Sequence, residues 1–196
     1  MSEMVKGVAP DMLIYVHGFN SSPASFKAGV IQHELERRGR GEDFLAPALP
    51  HSPAAAAALL GQLVRVHRDA CVIGSSLGGF YATWLAERYG VRAVLVNPAV
   101  RPYELLAGEV RRQRNFHTGE EYDFTAQHLA ELRALEVVAI TPERYLLLVT
   151  TGDEVLDYRH AVEKYRGAQQ LVIEGGDHGF SDFAHYLDTV LVFAGL

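Results

Sequence analysis

The sequence predicts an α/β fold, a six-stranded and mostly parallel sheet flanked by helices, and three observations carry that prediction. Short apolar runs alternate with segments of helical periodicity, as expected of strands joined by crossover helices. Those runs lack the in-out alternation of a half-exposed sheet, so both faces should be covered. Turn-forming residues end the runs, among them Gly18, Pro47, Gly74 and Asn97-Pro98. At 196 residues, 48% of them hydrophobic and 21% charged, the chain suits one domain spanning 1–196 with a buried core.

Leu13 to Val16 is the first strand, ending at His17-Gly18. A helix opens after Ser21-Ser22-Pro23, carries Ala24, Ala28, Ile31 and Leu35 on one face, and closes at Arg37 and Arg38 before Gly39. Phe44 to Ala46 is a short second strand. Ser52-Pro53 then starts a helix with Leu59, Leu60, Leu63 and Val64 on its inner face. Cys71 to Ile73 is the third strand, followed by a helix from Leu77 to Tyr89 that Gly90 stops. Val94 to Val96, Tyr145 to Val149 and Leu171 to Ile173 complete the sheet. Phe183, Leu187, Val190, Leu191 and Ala194 form the inner stripe of a last helix. The stretch 101–142 is longer than an ordinary connection and carries scattered aromatics, Tyr103, Phe116, Tyr122 and Phe124, with its best helical part at 125–135. It reads as a lid-like insertion; a plain crossover helix is the alternative.

Charge excludes some functions. With 18 basic and 24 acidic side chains the net charge is −6, so nothing marks a nucleic-acid or anionic-membrane binder. The only cationic cluster, Arg111, Arg112 and Arg114, reads as a solvated surface. Cys71 is the single cysteine, so no intrachain disulfide forms, and a reducing compartment fits. The first apolar run is too short for a signal peptide or a membrane span, so the expected location is cytoplasmic. The oligomeric state stays open.

Gly74-Ser75-Ser76-Leu77-Gly78 matches G-x-S-x-G between a strand and a helix. A serine on that sharp turn is held in a strained backbone conformation that lifts its hydroxyl above the sheet, and side chains at the flanking glycines would collide. The helix N-terminus also favours negative charge developing at the reacting centre. Ser76, with both glycines in register, is the candidate nucleophile; Ser75 is the lesser choice. Such a turn belongs to the α/β-hydrolase fold, in which the acid and then the histidine follow the serine along the chain.

A serine hydroxyl needs an imidazole base, itself oriented by a carboxylate. Asp153, in Thr151-Gly152-Asp153-Glu154, follows the fifth strand, and His178, in Gly175-Gly176-Asp177-His178-Gly179, follows the sixth. Glu154 and Asp157 are rival acids and His185 the nearest rival base, although His185 falls within the last helix. His33, His51, His67, His117, His128 and His160 lack that loop position and no pair of them makes a convincing metal-ligand spacing, so no metal or other cofactor is expected. The tetrahedral intermediate of acyl transfer needs two donors. Leu77 N–H, just after the nucleophile, is one; Phe19 N–H, in His17-Gly18-Phe19-Asn20, is the other. Asn20 is a candidate for help from its side chain, and His17 for bracing the loop.

Longer motifs add a resemblance. His17-Gly18-Phe19-Asn20-Ser21-Ser22-Pro23, Gly74 to Gly79, Val96-Asn97-Pro98-Ala99-Val100-Arg101-Pro102, Thr151 to Tyr158 and Ile173 to Gly176 resemble the bacterial YqiA-type esterases, from about residue 12 to the C-terminus. These are small α/β-hydrolases reduced to little more than the core. The resemblance implies hydrolysis of short-chain esters, with acyl-CoA thioesters as the alternative, and carries over Ser76, Asp153 and His178 as the triad. Asp177, where Asn is expected, and His51-Ser52 depart from the pattern. The expected partner is therefore a small-molecule ester or thioester. A non-catalytic binding protein on the same fold is the rival of another class, and its mark would be a broken triad or elbow.

Overall fold

The computed structural model describes Pro10 and residues 12–196. Its sheet elements and helices follow in chain order: β1 (Leu13–Val16), α1 (Phe26–Arg37), β2 (Phe44–Leu45), α2 (Pro53–Val66), β3 (Cys71–Ser75), α3 (Leu77–Tyr89) and β4 (Arg92–Val96). Then come α4 (Pro102–Leu105), β5 (Arg112–Arg114), β6 (Glu121–Asp123), α5 (Ala126–Ala134), β7 (Tyr145–Thr150), α6 (Tyr158–Lys164), β8 (Gln169–Ile173) and α7 (Phe183–Ala194). Six strands form one sheet in the order β2-β1-β3-β4-β7-β8, and every pairing in it is parallel. β5 and β6 form a separate antiparallel hairpin.

The central strands are buried on both faces because their alternate side chains feed two cores. Ile14, Val16, Val72 and Leu147 pack with Leu60 and Val64 of α2 and Phe80 and Leu85 of α3. Leu13, Tyr15, Ile73 and Leu148 point the other way, onto Ile31 and Leu35 of α1 and Phe183, Val190 and Leu191 of α7.

Helix boundaries follow the local chemistry. Ser52 caps α2 by accepting from Ala55 N–H, with Pro53 in the first turn. Gly90 ends α3 in the left-handed conformation. α1 starts later than the Ser-Ser-Pro signal suggests, because Ser21 N–H and Ser25 N–H first close turns onto the Gly18 and Ser22 carbonyls. In 101–142 the expected helix is present as α5, while α4 and the hairpin lack a strong sequence period of their own. Among the described residues no helix is long and apolar enough to cross a membrane.

Candidate functional site

Ser76 sits between β3 and α3 with φ 54° and ψ −120°, a region that disfavours side chains. Its backbone is tied on both sides: Ser76 N–H donates to the Val96 carbonyl (3.1 Å), and Ala99 N–H donates to the Ser76 carbonyl (3.0 Å). The flanking glycines are required by close approach. A Cβ on Gly74 would lie 2.3 Å from the Gly78 carbonyl oxygen, across the turn. A Cβ on Gly78 would lie 1.9 Å from the Val16 carbonyl oxygen, so this glycine makes room for the end of β1 and not only for the turn itself.

The structure brings the three distant candidates together. His178 Nε2 is 3.1 Å from Ser76 Oγ. His178 Nδ1 is 2.9 and 3.0 Å from the two Asp153 carboxylate oxygens. The Asp153 side chain is 1% exposed and also accepts from Val155 N–H (2.9 Å) and Leu156 N–H (2.8 Å). Burial alone would raise the Asp153 pKa, but the hydrogen bonds from His178 and from the Leu156 and Val155 amides outweigh it and hold the carboxyl below its ordinary value.

The rival residues are engaged elsewhere. Glu154 accepts from His178 backbone N–H (2.9 Å) and so helps to shape the histidine loop. Asp157 caps α6 by accepting from Arg159 N–H, and the hydrogen bonds from Arg159 hold its carboxyl down at about 2. His185 is exposed on α7, 3.9 Å from Asp182. Ser75 is buried at the end of β3.

Sequence reasoning missed the part played by Asn97, which follows β4 at φ 41° and is 2% exposed. Its Nδ2 donates to the carbonyls of Asp177 (3.0 Å) and His178 (3.2 Å) and to Thr150 Oγ1 (3.1 Å), while its Oδ1 accepts from Thr150 N–H (3.0 Å). The signal available was an asparagine at the carboxyl end of a central strand, a residue that tolerates positive φ and offers both a donor and an acceptor. Lys27 was missed as well. It projects from α1, is mostly buried, and donates to the Gly179 carbonyl.

Gly18 packs against Ser76: a Cβ on it would lie 3.2 Å from Ser76 Cβ. Phe19 and Leu77 line one cleft with Ser76 and His178, and neither backbone N–H donates to a protein acceptor among the described residues. His17 Nδ1 lies 3.0 Å from the Gly18 carbonyl, as a bracing role requires. The Asn20 side chain, expected to assist at the oxyanion, instead bonds to Gln113 and Tyr122 of the hairpin. The cleft holds about 610 Å³, and most of its walls are apolar: Phe19, Leu77, Ala99, Leu105, Leu106 and Leu156 among others.

A family model described as an uncharacterised protein family, UPF0227, matches residues 12–195. The chain belongs to that family. The resemblance to the YqiA-type proteins falls within it. UPF0227 relatives include the protein YcfP of Salmonella paratyphi A, 24% identical over 187 residues covering 93% of this chain and 98% of the relative. A second, from Serratia proteamaculans, is 25% identical over 189 residues with the same coverage. Among solved structures, mouse α/β hydrolase domain-containing protein 10 superposes with a TM-score of 0.71 at 15% identity, over 96% of this chain and 92% of that one. An esterase domain from a Rhodothermus marinus protein gives 0.67 at 14% identity, over 94% and 86%. These likenesses establish that this UPF0227 member has the α/β-hydrolase fold.

Proposed function

We propose that the protein is a serine hydrolase cleaving small carboxylic esters, with Ser76 as nucleophile, His178 as base and Asp153 as its orienting acid. One observation carries the reading: the unbroken hydrogen-bonded line from Asp153 through His178 to Ser76, at the edge of a largely apolar cleft. That the Rhodothermus marinus neighbour is an esterase domain supports the same class.

In the first step His178 Nε2 takes the Ser76 proton as Oγ bonds to the substrate carbonyl carbon. The carbonyl oxygen becomes an oxyanion held by the N–H groups of Phe19 and Leu77. The bond to the leaving alcohol or thiol then breaks, and that group departs with the proton from His178. Water attacks the acyl-serine with His178 again as base, and Oγ recovers its proton when the acid is released. Asp153 stays ionised throughout, fixing the imidazole tautomer and stabilising the imidazolium. The location consistent with buried, unpaired Cys71 is a reducing one such as the cytoplasm.

A fluorophosphonate probe tests the nucleophile. Wild type should be labelled, and Ser76→Ala should not; an unlabelled wild type would favour a binding protein that keeps the fold. Rates on matched ester and thioester series then separate an esterase from an acyl-CoA thioesterase, since both run on the same three side chains.

A further inference from the structure

We infer that the β5–β6 hairpin is a fixed brace for the oxyanion loop, with Gln113 and Tyr122 as positioning residues that hold Phe19 N–H in place through Asn20. The inference rests on the serine-hydrolase reading and goes beyond it by giving the insertion a part in the chemistry.

The residue after Phe19 is held at positive φ. Asn20 has φ 53°, and it lies well before Ser25, the cap of α1, so helix capping does not account for it. Its side chain is buried, and a buried amide must find partners. Those partners come from the hairpin. Tyr122 O–H donates to Asn20 Oδ1 (2.6 Å), and Asn20 Nδ2 donates to Gln113 Oε1 (3.0 Å). Gln113 Nε2 donates in turn to the Glu109 carbonyl and carboxylate, each at 2.9 Å. Every donor in this chain meets an acceptor, so flipping either amide would break bonds at both of its ends.

The loop backbone is held too. Phe116 N–H donates to the Asn20 carbonyl (2.9 Å), and Asn115 Nδ2 donates to the Ser21 carbonyl (2.8 Å). Phe19 itself packs edge-to-face on Phe124, just beyond β6, with ring centroids 5.3 Å apart. On the outer side the His51 ring stacks on Tyr122 at 3.7 Å, which gives that departure from the family pattern a place in the brace.

Three residues per strand are too few for a hairpin to stand alone, and β5–β6 does not join the main sheet. Its hydrogen bonds to Asn20 and Ser21 fix hairpin and loop against each other. An oxyanion donor acts only if it is already at the position where charge develops, so a small loosening of this loop lowers the rate.

Ester and thionoester substrates that differ only in C=O versus C=S separate the brace from general structural support. Sulfur accepts hydrogen bonds weakly, so the thionoester depends less on the oxyanion donors while using the same nucleophile and base. Asn20→Asp, which removes the donor to Gln113, should lower kcat on the ester by about 10-fold. KM should move less than kcat, by under about twofold, because the interaction weakened is with an oxyanion that forms only in the transition state. The ester-to-thionoester ratio should fall with kcat. Tyr122→Phe, a milder change, should move the ratio in the same direction. A ratio unchanged in both variants, whether or not both rates drop, overturns the brace. Ser76→Ala run in parallel should abolish hydrolysis. If it does and the ratio is unmoved, only the brace fails; if Ser76→Ala still turns over, the hydrolase reading fails first.

Discussion

Asn97 and His178 are 81 residues apart in sequence, yet the Asn97 side-chain amide donates to the His178 carbonyl oxygen at 3.2 Å and to the neighbouring Asp177 carbonyl at 3.0 Å. The loop carrying the imidazole is thereby tied to the end of β4, next to the strand that leads into Ser76. A 3.1 Å contact between His178 and Ser76 depends on that tie, because a loop free to drift would take the imidazole with it.

Asn97→Asp keeps the shape and the acceptor for Thr150 N–H but puts carboxylate oxygen against two carbonyl oxygens. We expect a loss of about 2 kcal/mol in urea unfolding, the cost of leaving buried acceptors unpaired. Labelling by a fluorophosphonate should slow by about 10-fold at a temperature where the variant is folded. An undiminished labelling rate would show that the loop holds itself.

Ser76 occupies backbone space that glycine enters freely. Ser76→Gly should therefore abolish labelling while raising stability by about 1 kcal/mol, since it removes strain that serves only the chemistry. Thermal melts of the two proteins provide the comparison. A lower melting temperature for the variant would mean that the serine side chain contributes more to the fold than its strained backbone costs.

Asp153 governs behaviour in acid. Its carboxyl titrates below the ordinary value of 3.8 in the folded protein, so the unfolded chain takes up its proton first as pH falls. The stability it contributes is complete above about pH 4 and is lost as pH drops through the lower, folded value. Asp153→Asn should remove this part of the acid dependence, as read from urea midpoints between roughly pH 2 and 5. At neutral pH the same variant should lose at least about 100-fold in kcat, because an amide neither fixes the tautomer nor offsets the imidazolium charge. Equal acid profiles for variant and wild type would contradict the assigned pairing.

Lys27 predicts a slope of the same sign in base. Burial lowers its ammonium from 10.5 to about 8, with the Asp177 charge acting the other way. Between those two values the folded state has released a proton that the unfolded state still holds, so stability rises with pH. Lys27→Met should flatten that rise in urea midpoints from about pH 8 to 10.5. It should also free the Gly179 carbonyl beside the histidine loop and slow labelling at neutral pH. A wild-type slope identical to that of Lys27→Met would show that the ammonium is as well solvated in the fold as outside it.

The elements that could be read from sequence are those with a local cause. The apolar runs, Ser52-Pro53 at the start of α2 and Gly90 at the end of α3 act within a few residues of themselves, and the elements form where those signals lie. Ser76, Asp153 and His178 could be picked out as candidates because each follows a strand, in a fixed order, with glycine within two residues. The sequence reading stopped at β5–β6 and at Asn97. A three-residue strand has no usable period, and what fixes the hairpin is a set of partners about a hundred residues away. Asn97 likewise reads as an ordinary turn residue until the loop that it holds is in place.

The order of apolar runs, turns and glycines thus determined the parallel sheet, the elbow and the strand-end positions of the candidate side chains, because short-range sterics and the burial of apolar surface suffice for those. Tertiary structure alone decided which carboxylate meets the imidazole, what holds the histidine loop, and what the Asn20 side chain bonds to. Each of these depends on hydrogen bonds a few ångströms long between groups far apart in the chain, and such distances exist only after the layers have packed.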